Sequence, residues 1–286
     1  MGEARDRKIR AAGAHDRLTA GFVAAGVDPT AFGFYDQAAF LAQEQRDGSY
    51  LEKYAEWVAT RPVDAVYEAH VRATVPKLAS LVAAALTADD MQGGCMTAFS
   101  MLTRMLDRLG VWSFGVIGSA NLDVPHLDLR RCLHTIDVRD HPDAVLGHAW
   151  VCAPPFFIVD ASLALQHWAG TPMAGFVPPV VLGDAATAPI VRPGVDDCVS
   201  ADVRAIHAEA ERRLDPNLHH RLEPRLAAFG GRFPAREILL GQLSVRYVPI
   251  AIRQTNEPLE MVNAGSGKGR PAITIWNDEV APAFGL

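Results

Sequence analysis

The stretch Gly147-His-Ala-Trp-Val-Cys-Ala-Pro-Pro-Phe-Phe-Ile-Val-Asp-Ala-Ser162 reads as two short strands joined by a Pro-Pro turn. Strand side chains alternate between faces. His148, Trp150 and Cys152 therefore share one side of the first strand, and Phe156, Ile158 and Asp160 one side of the second. A hairpin turning near Ala153–Pro155 sets His148 roughly opposite Asp160, where Cβ atoms lie about 5 Å apart. Titratable residues at the ends of otherwise apolar strands call for a reason. A carboxylate so placed accepts a ring N–H, fixes the histidine tautomer and stabilises the imidazolium.

A nucleophile for this pair lies upstream. Thr87-Ala-Asp-Asp-Met-Gln-Gly-Gly94 is turn chemistry, and Cys95 opens a helix. Cys95, Ala98, Phe99, Leu102, Met105, Leu106 and Leu109 recur at helical spacing, with Arg104, Asp107 and Arg108 on the opposite face. Gly110 ends the pattern as a C′ residue. A helix start presents unpaired N–H groups and a partial positive charge. Reactive thiolates occur in such settings, and the same N–H groups can receive an oxyanion. The chain thus offers nucleophile, base and orienter in the order Cys95, His148, Asp160. Gln92 is a candidate amide donor to the oxyanion, and Met96 and Trp150 are candidate pocket residues.

Around this core, helical patterns run over Asp6–Ala24, Asp36–Gln45, Ser49–Ala59 and Val63–Leu86, the last kinked or split at Pro76. Further strands are expected at Trp112–Ile117, Arg131–Val138, Leu243–Gln254, Leu259–Val262 and Ala272–Trp276. Residues 171–198 are Pro-rich and read as a long loop, followed by helices at Ala201–Leu214 and Leu218–Phe229.

Composition excludes several classes. A net charge of −6 argues against a nucleic-acid footprint. The charged N-terminus lacks an apolar signal core. No apolar run approaches the ~20 residues of a spanning helix, the longest lying near Leu81–Leu86. The expectation is a cytoplasmic protein with neither membrane nor nucleic-acid partner. The four cysteines form no CxxC pair, so reduced thiols are the default. Cys132, His134, His141 and Cys152 fit no zinc spacing, so no metal is expected. Ala264-Gly-Ser-Gly-Lys-Gly-Arg270 departs from the phosphate-loop pattern and reads as a flexible loop.

The blocks Gly94-Cys-Met-Thr-Ala-Phe-Ser-Met-Leu-Thr-Arg-Met-Leu-Asp-Arg-Leu-Gly-Val111, His148-Ala-Trp-Val151 and Ile158-Val-Asp-Ala-Ser162 resemble the transglutaminase-like (papain-like cysteine) superfamily. The resemblance covers about residues 75–165. It implies an α+β fold with the Cys helix packed on an antiparallel sheet, and a catalytic triad of Cys95, His148 and Asp160. The chain then divides into a helical N-terminal region at 1–74, a catalytic core at 75–165 and a C-terminal extension at 166–286 that completes the domain. The implied chemistry is acyl transfer through a thioester, with hydrolysis the first choice, no cofactor, and a peptide, protein or small amide as substrate. The superfamily also holds deamidases, cross-linking enzymes and inactive scaffolds, so fold does not select the reaction. Gly93-Gly94-Cys95 and Val159-Asp160-Ala161 are also similar to arylamine N-acetyltransferase motifs. That pattern, however, has an Arg before the glycines and an extra residue before the Cys. Acetyl transfer from acetyl-coenzyme A is therefore the second reading, and a non-catalytic scaffold the third.

Overall fold

The strand around which the molecule is built follows directly on the Cys95 helix. The computed structural model describes residues 2–62, 64–138, 147–168, 170–265 and 268–286, with side chains from Ala11 onward. The chain begins with helices α1 (Gly2–Ala24), α2 (Ala38–Glu44), α3 (Tyr50–Thr60), α4 (Ala65–Ala88) and α5 (Cys95–Arg108). Strands β1 (Phe114–Val124), β2 (Leu129–Leu133), β3 (His148–Ala153), β4 (Phe156–Asp160) and β5 (Val181–Asp184) follow. After helices α6 (Val195–Cys198), α7 (Ala201–Glu211), α8 (Leu218–Leu222) and α9 (Leu226–Arg232) come β6 (Arg236–Leu240) and β7 (Leu243–Arg253). The seven strands form one antiparallel sheet in the order β5-β4-β3-β1-β7-β6, with β2 also on β1. The architecture is α+β.

The sheet is buried on both faces, which is why β3 alternates little in polarity. Phe114, Val116, Trp150, Cys152, Ile158, Val245 and Tyr247 join a core with Phe22, Phe34, Phe40, Tyr54 and Trp57 of the N-terminal region. Ala149, Val151, Ala153 and Val159 join the other core with the apolar sides of α4 and α5. Helix α4 is long and apolar enough to cross a membrane by length and composition. That departs from the expectation that no apolar run is so long; in this fold its Val75, Leu78, Val82 and Leu86 are buried against α5. Pro76 neither splits nor ends it. Packing on both sides of the proline outweighs the ~3 kcal/mol such a residue costs a helix.

Three further expectations are corrected. The Pro-rich segment 171–198 contains β5, an edge strand whose Val181 pairs with Asp160. Ala272–Trp276 is not a strand: α10 (Ala272–Ile275) runs through a π-helical turn (Trp276–Val280) into α11 (Ala281–Phe284). Five residues are too few to separate the two periods. Over a longer window Ala272, Ile275, Trp276 and Val280 are the buried set, at helical spacing. Leu259–Val262 is a turn, so no hairpin flanks the Gly-rich loop, of which residues 266–267 lie outside the described residues.

The polar face of α5 is not solvated either. Arg104 is buried and pairs with Asp36, its Nε donates to the Glu257 carbonyl at 2.8 Å, and the Tyr35 hydroxyl donates to Asp107 at 2.6 Å. The N-terminal segment thereby clamps the helix that begins with Cys95. The other end of α5 closes as the sequence predicts: Gly110 has φ +70°, and Val111 N–H donates to the Leu106 carbonyl at 2.9 Å.

Burial pushes the Asp107 carboxyl up to about 7, against the hydrogen bond from Tyr35 and the charge of Arg104. An acid held neutral by the fold adds stability at low pH, which is lost as pH rises from its ordinary value near 4 through 7. Unfolding midpoints at pH 5 and pH 8 are expected to fall by less in Asp107→Asn than in the wild-type chain. An equal fall in both would remove this assignment.

Candidate active site

His148 is the first residue of β3 and Asp160 the last of β4. Val151 pairs with Val159, so Asp160 continues the ladder beside Trp150 rather than opposite His148. The two side chains meet on the diagonal, with His148 Nε2 2.6 Å from Asp160 Oδ2. Both are 1% exposed. Just before His148, Gly147 adopts φ +88°, and a Cβ there would lie 2.6 Å from the Gly118 carbonyl oxygen. Only glycine permits this entry into the strand.

Asp160 accepts five hydrogen bonds. Oδ2 receives the His148 ring at 2.6 Å and the Tyr247 hydroxyl at 2.9 Å. Oδ1 receives the Ser162 amide at 2.9 Å, the Ser162 hydroxyl at 3.0 Å and the Leu163 amide at 3.0 Å. Burial opposes its ionisation, but the His148 charge and the bonds from His148, Ser162 and Tyr247 prevail and hold the carboxyl below its usual range. Burial likewise opposes the imidazolium. The charge and hydrogen bond of Asp160, with smaller help from Cys95, outweigh it and raise the His148 pKa.

Cys95 stands at the first turn of α5, 8% exposed. Its thiol lies close enough to the His148 ring to help hold the imidazolium. The second ring nitrogen, Nδ1, is buried without a partner of ordinary geometry. Nε2 is taken by Asp160, so Nδ1 is the nitrogen left for a reacting thiol. Catalytic hydrogen bonds are often loose before a substrate tightens them. The loop leading to Cys95 is fastened to the loop leaving Asp160: the Gly93 amide donates to the Leu165 carbonyl at 2.7 Å. Gly93 has φ +71°.

The remaining candidates separate. No side chain caps the start of α5, which leaves the amides of Met96 and Thr97 without intrahelical partners. The Cys95 amide is taken by the Gly93 carbonyl at 3.0 Å. Gln92 is exposed, its amide nitrogen 3.5 Å from Asp90. Met96 is half-buried against the core that holds Cys95. Trp150 is buried edge-on against Tyr247, ring centroids 5.0 Å apart. Of the Cys and His residues weighed for a metal, His134 binds the Asp196 carbonyl at 3.1 Å and Cys152 the Phe157 carbonyl at 2.8 Å. His141 lies outside the described residues. Among the described residues no three His, Cys, Asp or Glu side chains are grouped to hold a metal ion.

Sequence reasoning missed Tyr247 and Ser162. Ser162 follows Asp160 by two residues, an ordinary spacing for an aspartate that caps its own turn. Tyr247 is 87 residues away, on a strand whose neighbour in the sheet is known only from the fold. Comparison with protein-family models, curated proteins and solved structures finds no match to this chain.

The paired shifts set a pH window. The Asp160 contribution is present above the ordinary carboxylate range and lost as pH falls through its depressed value. The His148 contribution is complete below 6.5 and lost as pH rises through its raised value. Stability from the pair is therefore greatest from about pH 4 to about 6.5 and declines above that. Asp160→Asn is expected to cost about 3–5 kcal/mol and to flatten the alkaline decline. Tyr247→Phe, which leaves four of the five bonds, is expected to cost about 1 kcal/mol. Urea unfolding from pH 4 to 10 checks both.

Proposed function

We propose that the chain is a cysteine-dependent acyl-transfer enzyme with a transglutaminase-like core, acting first as a hydrolase of a peptide, protein or small amide. The observation that carries this reading is the fully buried His148–Asp160 pair, with the free Nδ1 of its ring beside a cysteine at a helix start. A buried charge pair is weak evidence for stability alone. Beside a thiol, it is the arrangement that nucleophilic catalysis requires. The helix-start cysteine, strand-head histidine and neighbouring-strand aspartate on an antiparallel sheet support the transglutaminase-like reading of the fold.

In this mechanism the Cys95 proton passes to His148 before attack, and the thiolate Sγ then adds to the acyl carbon. The oxyanion is received by the uncapped amides at the start of α5. His148 returns the proton to the departing amine as the C–N bond breaks, leaving a thioester on Cys95. Water then attacks with His148 as base, the C–S bond breaks, and the acid and the free thiol are released. Asp160 keeps the ring oriented and supports its positive charge throughout.

One observation favours the scaffold reading: Cys95 is only 8% exposed. Alkylation separates the two. Burial pushes the Cys152 and Cys198 thiols up to about 12 and raises Cys132 further, also under the influence of Asp197. With iodoacetamide at pH 7, Cys95 is expected to label at least about tenfold faster than these three, by peptide mass spectrometry. In His148→Ala the advantage is expected to vanish. Chains treated with an activated acyl ester should carry one acyl group on Cys95, and none in Cys95→Ser. Labelling of Cys95 no faster than its fellows and indifferent to His148 would leave the scaffold reading standing.

A further inference from the structure

A cavity of about 270 Å³ lies between α9 and the middle of β7. Neither Cys95 nor His148 lines it, so its use is independent of the acyl-transfer reading. One water needs roughly 10–15 Å³ of such space, so there is room for a small molecule. The walls are Val191, Leu226, Ala227, Phe233, Ala235 and Val248. Leu226, Phe233, Ala235 and Val248 are buried, and the Val191 amide donates to the Ala235 carbonyl at 2.9 Å, so the walls are held by the fold. Two polar side chains edge the cavity, Arg192 and His220. Arg192 is exposed, and among the described residues its guanidinium has neither ion pair nor hydrogen bond. The nearby carboxylates are taken, Asp197 by Arg246 at 2.9 Å and Asp215 by Arg221 at 3.7 Å. The His220 ring packs on His219 with centroids 4.0 Å apart, and Nδ1 of each ring is buried without a partner. Burial lowers the His219 pKa, and His220 and Arg192 lower it further, against Asp197 and Asp215. No carboxylate is among the described residues that line the cavity.

The mouth of this cavity therefore offers a free cation and ring nitrogens, with no acid to meet them. A guanidinium presents its donors in a planar fork that takes a carboxylate in two parallel hydrogen bonds. Beside apolar walls that pairing is stronger than on an open surface, because less water screens it. Ligand sites have this composition: mostly apolar linings, with a few polar groups that fix orientation. We propose that this cavity binds a small free carboxylic acid with an apolar body. The carboxylate meets Arg192 with the His220 ring beside it, and the body lies against Leu226, Phe233 and Val248. Ala227 and Gly230 of α9 leave the space that the body fills, and a Cβ on Gly230 would meet nothing within 4 Å.

Isothermal titration of the full chain with phenylacetate, and with its neutral analogue phenylacetamide, tests the site. The acid is expected to bind with a Kd below about 1 mM and at least about tenfold tighter than the amide. In Arg192→Gln acid and amide should bind alike. That guanidinium is bonded to nothing in the fold, so the variant should keep its native near-UV circular dichroism. Ala227→Leu puts a larger side chain into the cavity from the exposed side of α9, and should weaken acid and amide together by at least about tenfold. The proposal is overturned if the wild-type chain binds the acid no tighter than the amide, or shows no saturation by about 10 mM. It is equally overturned if either variant, natively folded, binds the acid unchanged. The comparison of acid with amide needs no substitution, so it decides the matter even if both variants fail to fold.

Discussion

The Asp160 carboxylate is the constraint on which this structure turns. An ionised group without water is tolerated only when its oxygens are bonded and its charge is matched. Asp160 meets both conditions, with five donors and the His148 ring. The donors come from three places in the chain: the head of β3, the turn after β4, and β7. Each must be in register for the carboxylate to be satisfied. The sheet therefore has one arrangement in which β1 lies between β3 and β7, bringing Tyr247 to within 2.9 Å of the carboxylate.

Cys95 is held by different means. Helix α5 lays Ala98, Phe99, Leu102 and Leu106 into the core beside Ala149 and Val151. Its start is tied to the loop after Asp160 through the Gly93–Leu165 bond. Its polar side is gripped by Tyr35 and Asp36. Cys95 is thus fixed from the sheet, from the loop and from the N-terminal segment, while the amides at the start of α5 stay uncapped. Rigid placement of a thiol with open donors beside it is what acyl transfer asks of a scaffold.

The two faces of the sheet divide the work. One face receives α4 and α5 and seats the thiol. The other holds the aromatic core of the N-terminal helices. Tyr247 and Trp150 belong to that second face, yet Tyr247 also holds Asp160. A side chain shared in this way couples the packing of that core to the orientation of the His148 ring.

The local pattern determined much. Gly94-Cys95 before a strongly periodic run specified the α5 start, Gly110 its end, and β4 matched the predicted Phe156–Asp160 to the residue. The approach of His148 to Asp160 was legible from strand alternation and a short turn, because both residues lie in one hairpin. Patterns that rest on a few residues misled. Ala272–Trp276 alternated like a strand over a window too short to show its helical period, and Val181–Asp184 was hidden among prolines. Arg104 and Asp107 followed the rule that a charged helix face meets water, but residues 34–36 cover them. What tertiary structure alone decided is whatever depends on distant segments: the Tyr247 bond to Asp160 and the clamp on α5. Local propensity reaches a few residues along the chain. These contacts span 68 residues or more, and only the burial of both sheet faces at once selects them.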